Sequence, residues 1–241
     1  AGLFALVCHL TSAVADTADE FFLALKAGDA EKARTYLSED FRAATSEADL
    51  RNFVERSALA RYESASWTSR SIQNSSGLLA GTVTTEDGGS VPLEISLIHE
   101  KGSWKILSLR KPEAGILDSD GQQPPAAAEQ LRLARESTAL FAAALKAEDF
   151  TRLHAAISNV WRQQITVEQL RAAFQTFLDQ HADLTVLNTV EPRIRLAKFD
   201  DQGAFALEGV YPTTPSSVSF RYRYIYEGVD WKLIGIHVES H

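Results

Sequence analysis

Two arginines stand at corresponding places in the two halves of the chain, each directly after an aromatic residue. Arg42 follows Phe41, and Arg162 follows Trp161. An arginine beside a pocket can bind an anion through paired hydrogen bonds, or it can hold a helix-to-strand corner by donating to backbone carbonyls. Their recurrence favours the structural role. Both roles remain open, and Arg42 and Arg162 are candidate ligand-binding residues.

A tyrosine-rich segment near the end of the chain has the alternation of a β-strand. Its two faces carry Val218, Phe220, Tyr222, Tyr224 and Tyr226 on one side and Ser219, Arg221, Arg223 and Ile225 on the other. The tyrosine face could bind a flat ligand, so Tyr222 and Tyr224 are further candidates. The arginines fall on the opposite face, which argues against a groove that stacks nucleobases. A buried aromatic core face is the favoured interpretation.

Acid–base catalysis would need a carboxylate, or a His–Asp pair, whose pKa is shifted by apolar walls. Glu94 and Glu208 lie on predicted strands. Alternation turns Glu94 away from the apolar face of its strand, and a surface position is favoured for both. His237 and His241 are four residues apart, but they lie on a terminal strand, where helical ligand geometry is lost. The chain also lacks the glycine-rich phosphate loops and nucleophile elbows of common enzymes. We therefore predict no catalytic residue, no metal site and no cofactor.

Composition narrows the partners and the compartment. The net charge is −8, so a nucleic-acid partner would need a local basic stripe, and we predict no nucleic-acid partner.

Residues 1–15 carry no Asp, Glu, Lys or Arg and end in Ala13-Val14-Ala15, which is typical of a secretory signal remnant. The alternative is an apolar N-terminal element that docks on the domain. Residues 1–15 are too short to span a bilayer, and no transmembrane span is predicted. The one cysteine, Cys8, lies in this segment, so disulfides and thiolate chemistry are absent after residue 15. We predict a periplasmic or secreted protein.

The elements that position these residues occur twice. Trp104-Lys105 and Trp231-Lys232 each open a short aliphatic run that predicts a buried strand, and both tryptophans are candidate ligand-binding residues. Helix signals precede strands predicted near 62–73, 78–85, 91–100 and 103–110. After a proline-rich stretch, helices are predicted from 129, followed by strands near 183–199, 203–211, 217–227 and 230–239.

The two halves match at a constant spacing. Phe141 and Phe21 are 120 positions apart, and at this offset identical residues meet, from Phe21 and Leu25 to Leu50 and Arg51. Trp231 and Trp104 are 127 apart, which predicts about seven extra residues in the strand region of the second half. The shared order of elements indicates a duplicated domain.

Residues 16–111 and 129–239 each resemble the NTF2-like (cystatin-like cone) superfamily, through the helix order, the aromatic–arginine step and the closing Trp-Lys strand. The resemblance implies an α+β fold of two tandem NTF2-like units, each with N-terminal helices packed on a curved antiparallel sheet and a pocket at the open end of the cone. The expected organisation is a signal remnant at 1–15, a first unit at 16–111, a linker at 112–128 and a second unit at 129–241.

Since the family includes enzymes and proteins without chemistry, the resemblance alone leaves the function open. The favoured hypothesis is a non-catalytic envelope protein that binds a small ligand or a protein partner, with the two units packed as an intramolecular pseudo-dimer. The alternative is a small-molecule enzyme of the isomerase, dehydratase or hydrolase kind that uses one cone pocket. A hollow cone lined by a carboxylate or histidine with a shifted pKa would favour the enzyme.

Overall fold

The computed structural model describes residues 2–112 and 124–241. The chain divides into two compact units, Ala1–Pro112 with Tyr226–Asp230 and Glu113–Ile225 with Trp231–His241. Both are α+β, with helices followed by a separate four-stranded antiparallel sheet. Of the predicted linker at 112–128, residues 113–123 lie outside the described part of the chain. No helix in that part is long and apolar enough to cross a membrane.

The helices of the first unit are α1 (Gly2–Lys26), α2 (Ala30–Thr35), α3 (Glu39–Ala44) and α4 (Glu47–Arg56), followed by a 3₁₀ turn at Leu59–Arg61. Thr17 and Glu20 have the spacing of a capping box, which predicts a helix start at Asp16, but this prediction is wrong because α1 already runs through these residues. The hydroxyl of Thr17 instead donates to the carbonyl of Ala13 one turn earlier, at 2.9 Å, as it does within a continuing helix. Val14 and Ala15, from the predicted signal remnant, are buried in the first core.

The first sheet contains β1 (Tyr62–Gln73), β2 (Ser76–Thr85), β3 (Ser90–Glu100) and β4 (Ser103–Arg110), paired in chain order. These strands confirm the predicted ones to within two residues. Alternate side chains of the strands meet Phe21 and Phe22 of α1 in a core that includes Leu79, Leu93, Ile95 and Ile106. Each such side chain contributes about 1.5–3 kcal/mol when it is removed from water.

The second unit begins with α5 (Ala127–Ala147), α6 (Thr151–Ala156), α7 (Asn159–Arg162), α8 (Val167–Ala173) and α9 (Gln175–Asp179). Its sheet contains β5 (Arg193–Phe199), β6 (Phe205–Tyr211), β7 (Val218–Glu227) and β8 (Asp230–Ser240), again in chain order. The strand expected from residue 183 was wrong at its start, because Thr185–Thr189 forms a 3₁₀ turn and β5 begins at Arg193. Thr185–Thr189 mixes polar and apolar residues in a pattern that resembles the alternation of a strand, although it forms a turn.

A β-bulge opposite a glycine occurs in the first strand pair of both sheets. In the first sheet the register shifts after Trp67, which faces Gly81, and in the second it shifts after Ile194, which faces Gly209. A Cβ on Gly209 would lie 2.6 Å from the carbonyl oxygen of Arg193, so only glycine lets the bulged strand approach this closely.

A serine joins the helices to the last strand in each unit. The amide of Ser38 donates to the carbonyl of Ile106 (2.9 Å), and the amide of Ser158 donates to that of Leu233 (2.8 Å). Their hydroxyls accept from Phe41 N (3.0 Å) and Trp161 N (3.1 Å), which caps α3 and α7. The serines are 120 positions apart, whereas Trp67 and Ile194 are already 127 apart. The seven extra residues therefore precede β5, and their predicted place within the strands was wrong.

Candidate functional site

Three short helices of the first unit enclose a groove, and each begins at a side-chain cap. Asp29 Oδ1 accepts from Lys32 N (2.9 Å), Ser38 Oγ caps α3, and Ser46 Oγ accepts from Asp49 N (3.1 Å). Since helices of ten residues or fewer are marginal in isolation, these caps and the underlying core hold α2, α3 and α4 in place.

The groove has a volume of about 220 Å³ and a mostly apolar lining. The apolar side chains come from α1, α2, α3 and α4 and from the loop before α3: Leu25, Ala33, Leu37, Phe41, Leu50 and Val54. Charged side chains lie around this apolar surface: Glu31, Arg34, Arg42, Glu47 and Arg51. The arrangement can hold a small molecule with an apolar body and a charged end.

The arginines of the groove differ in their partners. Arg34 Nη1 lies 2.8 Å from Glu47 Oε1 and is therefore already neutralised. Within the described part of the chain, Arg42 Nη1 has one hydrogen-bond acceptor, the carbonyl oxygen of Arg34 at 3.5 Å, the limit of a hydrogen bond. Among residues 2–112 and 124–241, no carboxylate lies within 4 Å of the side chain of Arg42 or Arg51. Both guanidinium groups thus retain donors for an anion.

Arg162, the counterpart of Arg42, has a different environment. Its Nη1 donates to the carbonyl of Ala155 at 3.1 Å, and its Nη2 donates to Asn159 Oδ1 at 3.0 Å. The first bond ties α7 to α6, and the second lies within α7. Both join helical residues, whereas the structural role considered from the sequence was a helix-to-strand corner. A ligand-binding role for Arg162 stays a prediction.

Tyr222 and Tyr224 lie in the second core and are each 1% exposed. Tyr222 Oη is 2.7 Å from Thr138 Oγ1, and Tyr224 Oη is 2.8 Å from Ser137 Oγ, so both hydroxyls bond to α5. Burial raises the pKa of both phenols, and they remain neutral donors at physiological pH. The aromatic core face favoured by the sequence is present, while their ligand-binding role stays a prediction.

The two tryptophans pack on the cores of their own units. Trp104 is 7% exposed and meets the His99 ring edge to face, with ring centres 5.2 Å apart. Trp231 is half-buried against Phe205, at 5.5 Å, and Phe199, at 6.1 Å. Neither tryptophan lines the groove of the first unit. Of the six predicted site residues, Arg42 is the one that does, and the roles of the two tryptophans stay predictions.

One partly buried carboxyl lies against the first core. Tyr62 Oη donates to Asp19 Oδ1 at 2.9 Å. Burial raises the pKa of the Asp19 carboxyl, and the Tyr62 hydrogen bond opposes part of this rise. Burial, together with the hydrogen bond to Asp19, raises the pKa of the Tyr62 phenol as well. Neither residue lines the groove, so the pair is separate from the candidate binding site.

The two strand glutamates lie in surface ion pairs. Glu94 Oε2 accepts from Arg110 Nε at 3.1 Å, and Glu208 Oε1 accepts from Arg221 Nε at 2.7 Å. This confirms the surface position favoured for both. Near the C-terminus, His237 Nε2 lies 3.1 Å from Glu239 Oε1. The described residues contain no group of three His, Cys, Asp or Glu side chains that could hold a metal ion.

The sequence identified Arg42 but missed its companions in the groove. Arg34 and Arg51 lie on separate helices, and no periodicity within one helix connects them with Arg42. The sequence did show that Leu50-Arg51 matches Leu170-Arg171 in the second half. This match marks Arg51 as a recurring residue, but it does not indicate that Arg51 lines a groove.

Comparison with known proteins gives limited matches. Residues 11–114, which include the groove, are similar to a family described as "Domain of unknown function (DUF4864)". A solved structure of a cystatin-like protein from Ruminococcus gnavus ATCC 29149 is similar at 12% identity, over 92% of this chain and 88% of that chain, with a TM-score of 0.32. No curated protein matches the chain.

Proposed function

We propose that this chain is a non-catalytic binding protein that takes a small amphipathic anion into the groove of its first unit. The observation that carries the proposal is Arg42, an arginine without a carboxylate partner among the described residues, on the wall of a mostly apolar groove. The apolar surface would take the body of the ligand, while Arg42 and Arg51 would receive its charged end.

The size of the groove limits the ligand. A water molecule takes up about 30 Å³ of liquid, so a groove of 220 Å³ holds roughly seven atoms of that size. A short-chain carboxylate meets this limit, since most of its chain would fit and its carboxylate would remain at the rim. An open groove of this size favours weak, reversible binding.

The interior of the second unit supports binding rather than chemistry as the general function. Tyr211, Tyr222 and Tyr224 fill the space between α5 and the sheet, and their hydroxyls bond to α5. In the first unit, the Asp19 carboxyl with its raised pKa already accepts a hydrogen bond from Tyr62.

Two tandem NTF2-like units would be the scaffold. The shared element order supports this, as do the bulge opposite Gly81 and Gly209 and the joint at Ser38 and Ser158. An envelope location is the compartment we propose, supported by the uncharged segment at residues 1–15. Val14, at the end of this segment, is fully buried in the first core, as the alternative of an apolar N-terminal element that docks on the domain expects. N-terminal sequencing of the protein recovered from the envelope tests the location, and recovery from the cytosol alone would refute it.

Octanoate is a suitable probe, with the neutral octanamide as its matched control. We expect amide chemical shifts of groove residues to respond to octanoate at lower concentrations than to octanamide. Arg42→Ala should weaken octanoate about tenfold, because a hydrogen bond to a charged group contributes about 1.5–3 kcal/mol and exposure reduces this. Arg56→Ala, on α4 and outside the groove, is the control. Equal binding of the acid and the amide, or no effect of Arg42→Ala, would refute the proposal.

A further inference from the structure

The outer face of the second sheet is rich in cations, although the chain as a whole carries a net charge of −8. On β5, the core receives Ile194, Ala197 and Phe199, while the exposed positions carry Arg193, Arg195 and Lys198. On β7, Arg221 and Arg223 alternate with buried aromatic residues. On β8, Lys232 lies between two core-facing residues, so it also faces outward. Six cations therefore lie on this face: Arg193, Arg195, Lys198, Arg221, Arg223 and Lys232.

Two of these cations are paired, and four retain their full charge. Arg221 Nε lies 2.7 Å from Glu208 Oε1, and Arg223 lies 2.7 Å from Asp200 Oδ2. The remaining four are Arg193, Arg195, Lys198 and Lys232, and no carboxylate of the described residues lies within 4 Å of them. Three of them lie on β5, the edge strand, where a partner can approach without displacing another strand.

The corresponding face of the first sheet has a different chemistry. Its cross-strand pairs bring hydroxyls together, as in Ser64 with Thr84 and Ser66 with Thr82. Its Arg110 is neutralised by Glu94. Its Lys105, the counterpart of Lys232, donates to the carbonyl of Thr35 at 2.6 Å. A cluster of four cations without carboxylate partners is thus a feature of the second face, and the shared fold does not require it.

We propose that the outer face of the second sheet binds an acidic, extended segment of a partner protein. Guanidinium groups suit carboxylates, with which they form paired hydrogen bonds. Successive side chains of an extended segment point to opposite sides, so acidic residues at every second position would all face these cations. From Arg193 to Lys198 the strand covers about 16 Å, so a segment of about six residues matches it.

The same face is poorly suited to a phosphate polymer. A nucleic-acid backbone is uniformly charged, whereas Glu208 and Asp200 interrupt the cations here. The outward-facing positions of β6 and β7 carry no aromatic ring on which bases could stack. The overall negative charge would also repel a long polyanion.

A fluorescein-labelled hexapeptide of alternating glutamate and valine tests the proposal by fluorescence anisotropy with the full chain. We expect saturable binding that weakens as salt rises, and no binding of the peptide in which glutamine replaces glutamate. Arg195→Glu/Lys198→Glu should weaken binding at least about tenfold. Arg56→Glu/Arg70→Glu changes the net charge equally in the first unit and should alter binding by less than about threefold.

Several outcomes would overturn this inference. Equal losses for the two double variants would show that only net charge matters. Absence of peptide binding at low salt would refute the docking surface itself. The protein could bind oligothymidylate or anionic vesicles but not the peptide. If Arg195→Glu/Lys198→Glu abolished that binding, the face would belong to another class of partner. A dimer that the same variant dissociates would assign it to a second copy of the chain. Octanoate binding should be unchanged throughout, so this inference and the proposed function can fail separately.

Discussion

Replacing Gly209 with alanine is a direct test of the bulge that shapes the second sheet. Gly209 faces Ile194, where the register of β5 shifts. An alanine Cβ would lie 2.6 Å from Arg193 O and 2.6 Å from Phe220 Cζ. Ordinary contacts begin at 3.4 Å, so both neighbours would have to move by about 0.8 Å. One neighbour is backbone, and the other is a ring packed in the core.

The magnitude follows from two opposing effects. Overpacking of this kind costs typically about 1–3 kcal/mol. Alanine in place of glycine within a strand recovers about 0.5–1 kcal/mol, because the unfolded chain loses freedom. We therefore expect Gly209→Ala to destabilise the second unit by about 1–2 kcal/mol. This corresponds to a factor of about 5–30 in the folded-to-unfolded ratio.

Native-state hydrogen exchange resolved by peptide is the suitable assay, because it reports on each unit separately. Peptides from β5 to β8 should exchange about 5–30 times faster in Gly209→Ala, and peptides from β1 to β4 should be unchanged. Gly235→Ala, in β8, is the matched control. Its Cβ would meet the Arg223 side chain at 3.5–3.7 Å, an ordinary contact, so exchange should stay near the parent. If Gly209→Ala and Gly235→Ala behave alike, the steric reasoning is wrong.

Two further predictions concern buried polar groups. Tyr224→Phe removes the 2.8 Å bond to Ser137 and leaves the serine hydroxyl buried without that partner, so we expect a loss of about 1–2 kcal/mol in urea unfolding; an unchanged midpoint would contradict this. At Asp19, the raised pKa of the carboxyl means that the folded state binds the proton more tightly than the unfolded state does. The protonated carboxyl therefore contributes fully to the free energy of unfolding below about pH 3.8, and this contribution is lost as pH rises through the folded pKa. Asp19→Asn keeps an acceptor for Tyr62 and should be more stable than the parent at pH 7, with the advantage shrinking toward pH 3.8. A constant difference across this range would contradict it.

The sequence predicted the elements of the first sheet well, because turn residues and alternation agree there. Gly88 and Gly102, in the turns between consecutive strands, adopt positive φ in the structure, where glycine is favoured. The start of α1 was mistaken because a threonine three residues before a glutamate also fits the interior of a helix. Burial of the neighbouring Val14 shows that the helix continues through Thr17 rather than starting there. This burial depends on strands far along the chain, so the local sequence could not predict it.

The candidate site was less predictable than the fold. Arg42 and Arg162 each follow a capping serine and an aromatic residue, yet one lines a groove and the other bonds to a neighbouring helix. The difference depends on which side chains lie across from each arginine. For Arg42 these include Leu50 and Arg51, which belong to a separate helix, α4, with its own cap. The basic face of the second sheet was visible in part, since alternation placed Arg221 and Arg223 on its outer side. The contribution of β5 was hidden by the bulge, which places Arg195 out of simple alternation.

The joints at Ser38 and Ser158 also determine where this architecture can change in length. Between each serine and its partner on the last strand, the second unit is seven residues longer, and the excess precedes β5, where α9 and a 3₁₀ turn stand. The helix corner and the closing strand keep the same contact despite this difference. Leu178 and Leu187 within this stretch are buried, so the exposed turn at 180–181 is the natural place to graft a loop, a tag or a reporter without loosening the corner.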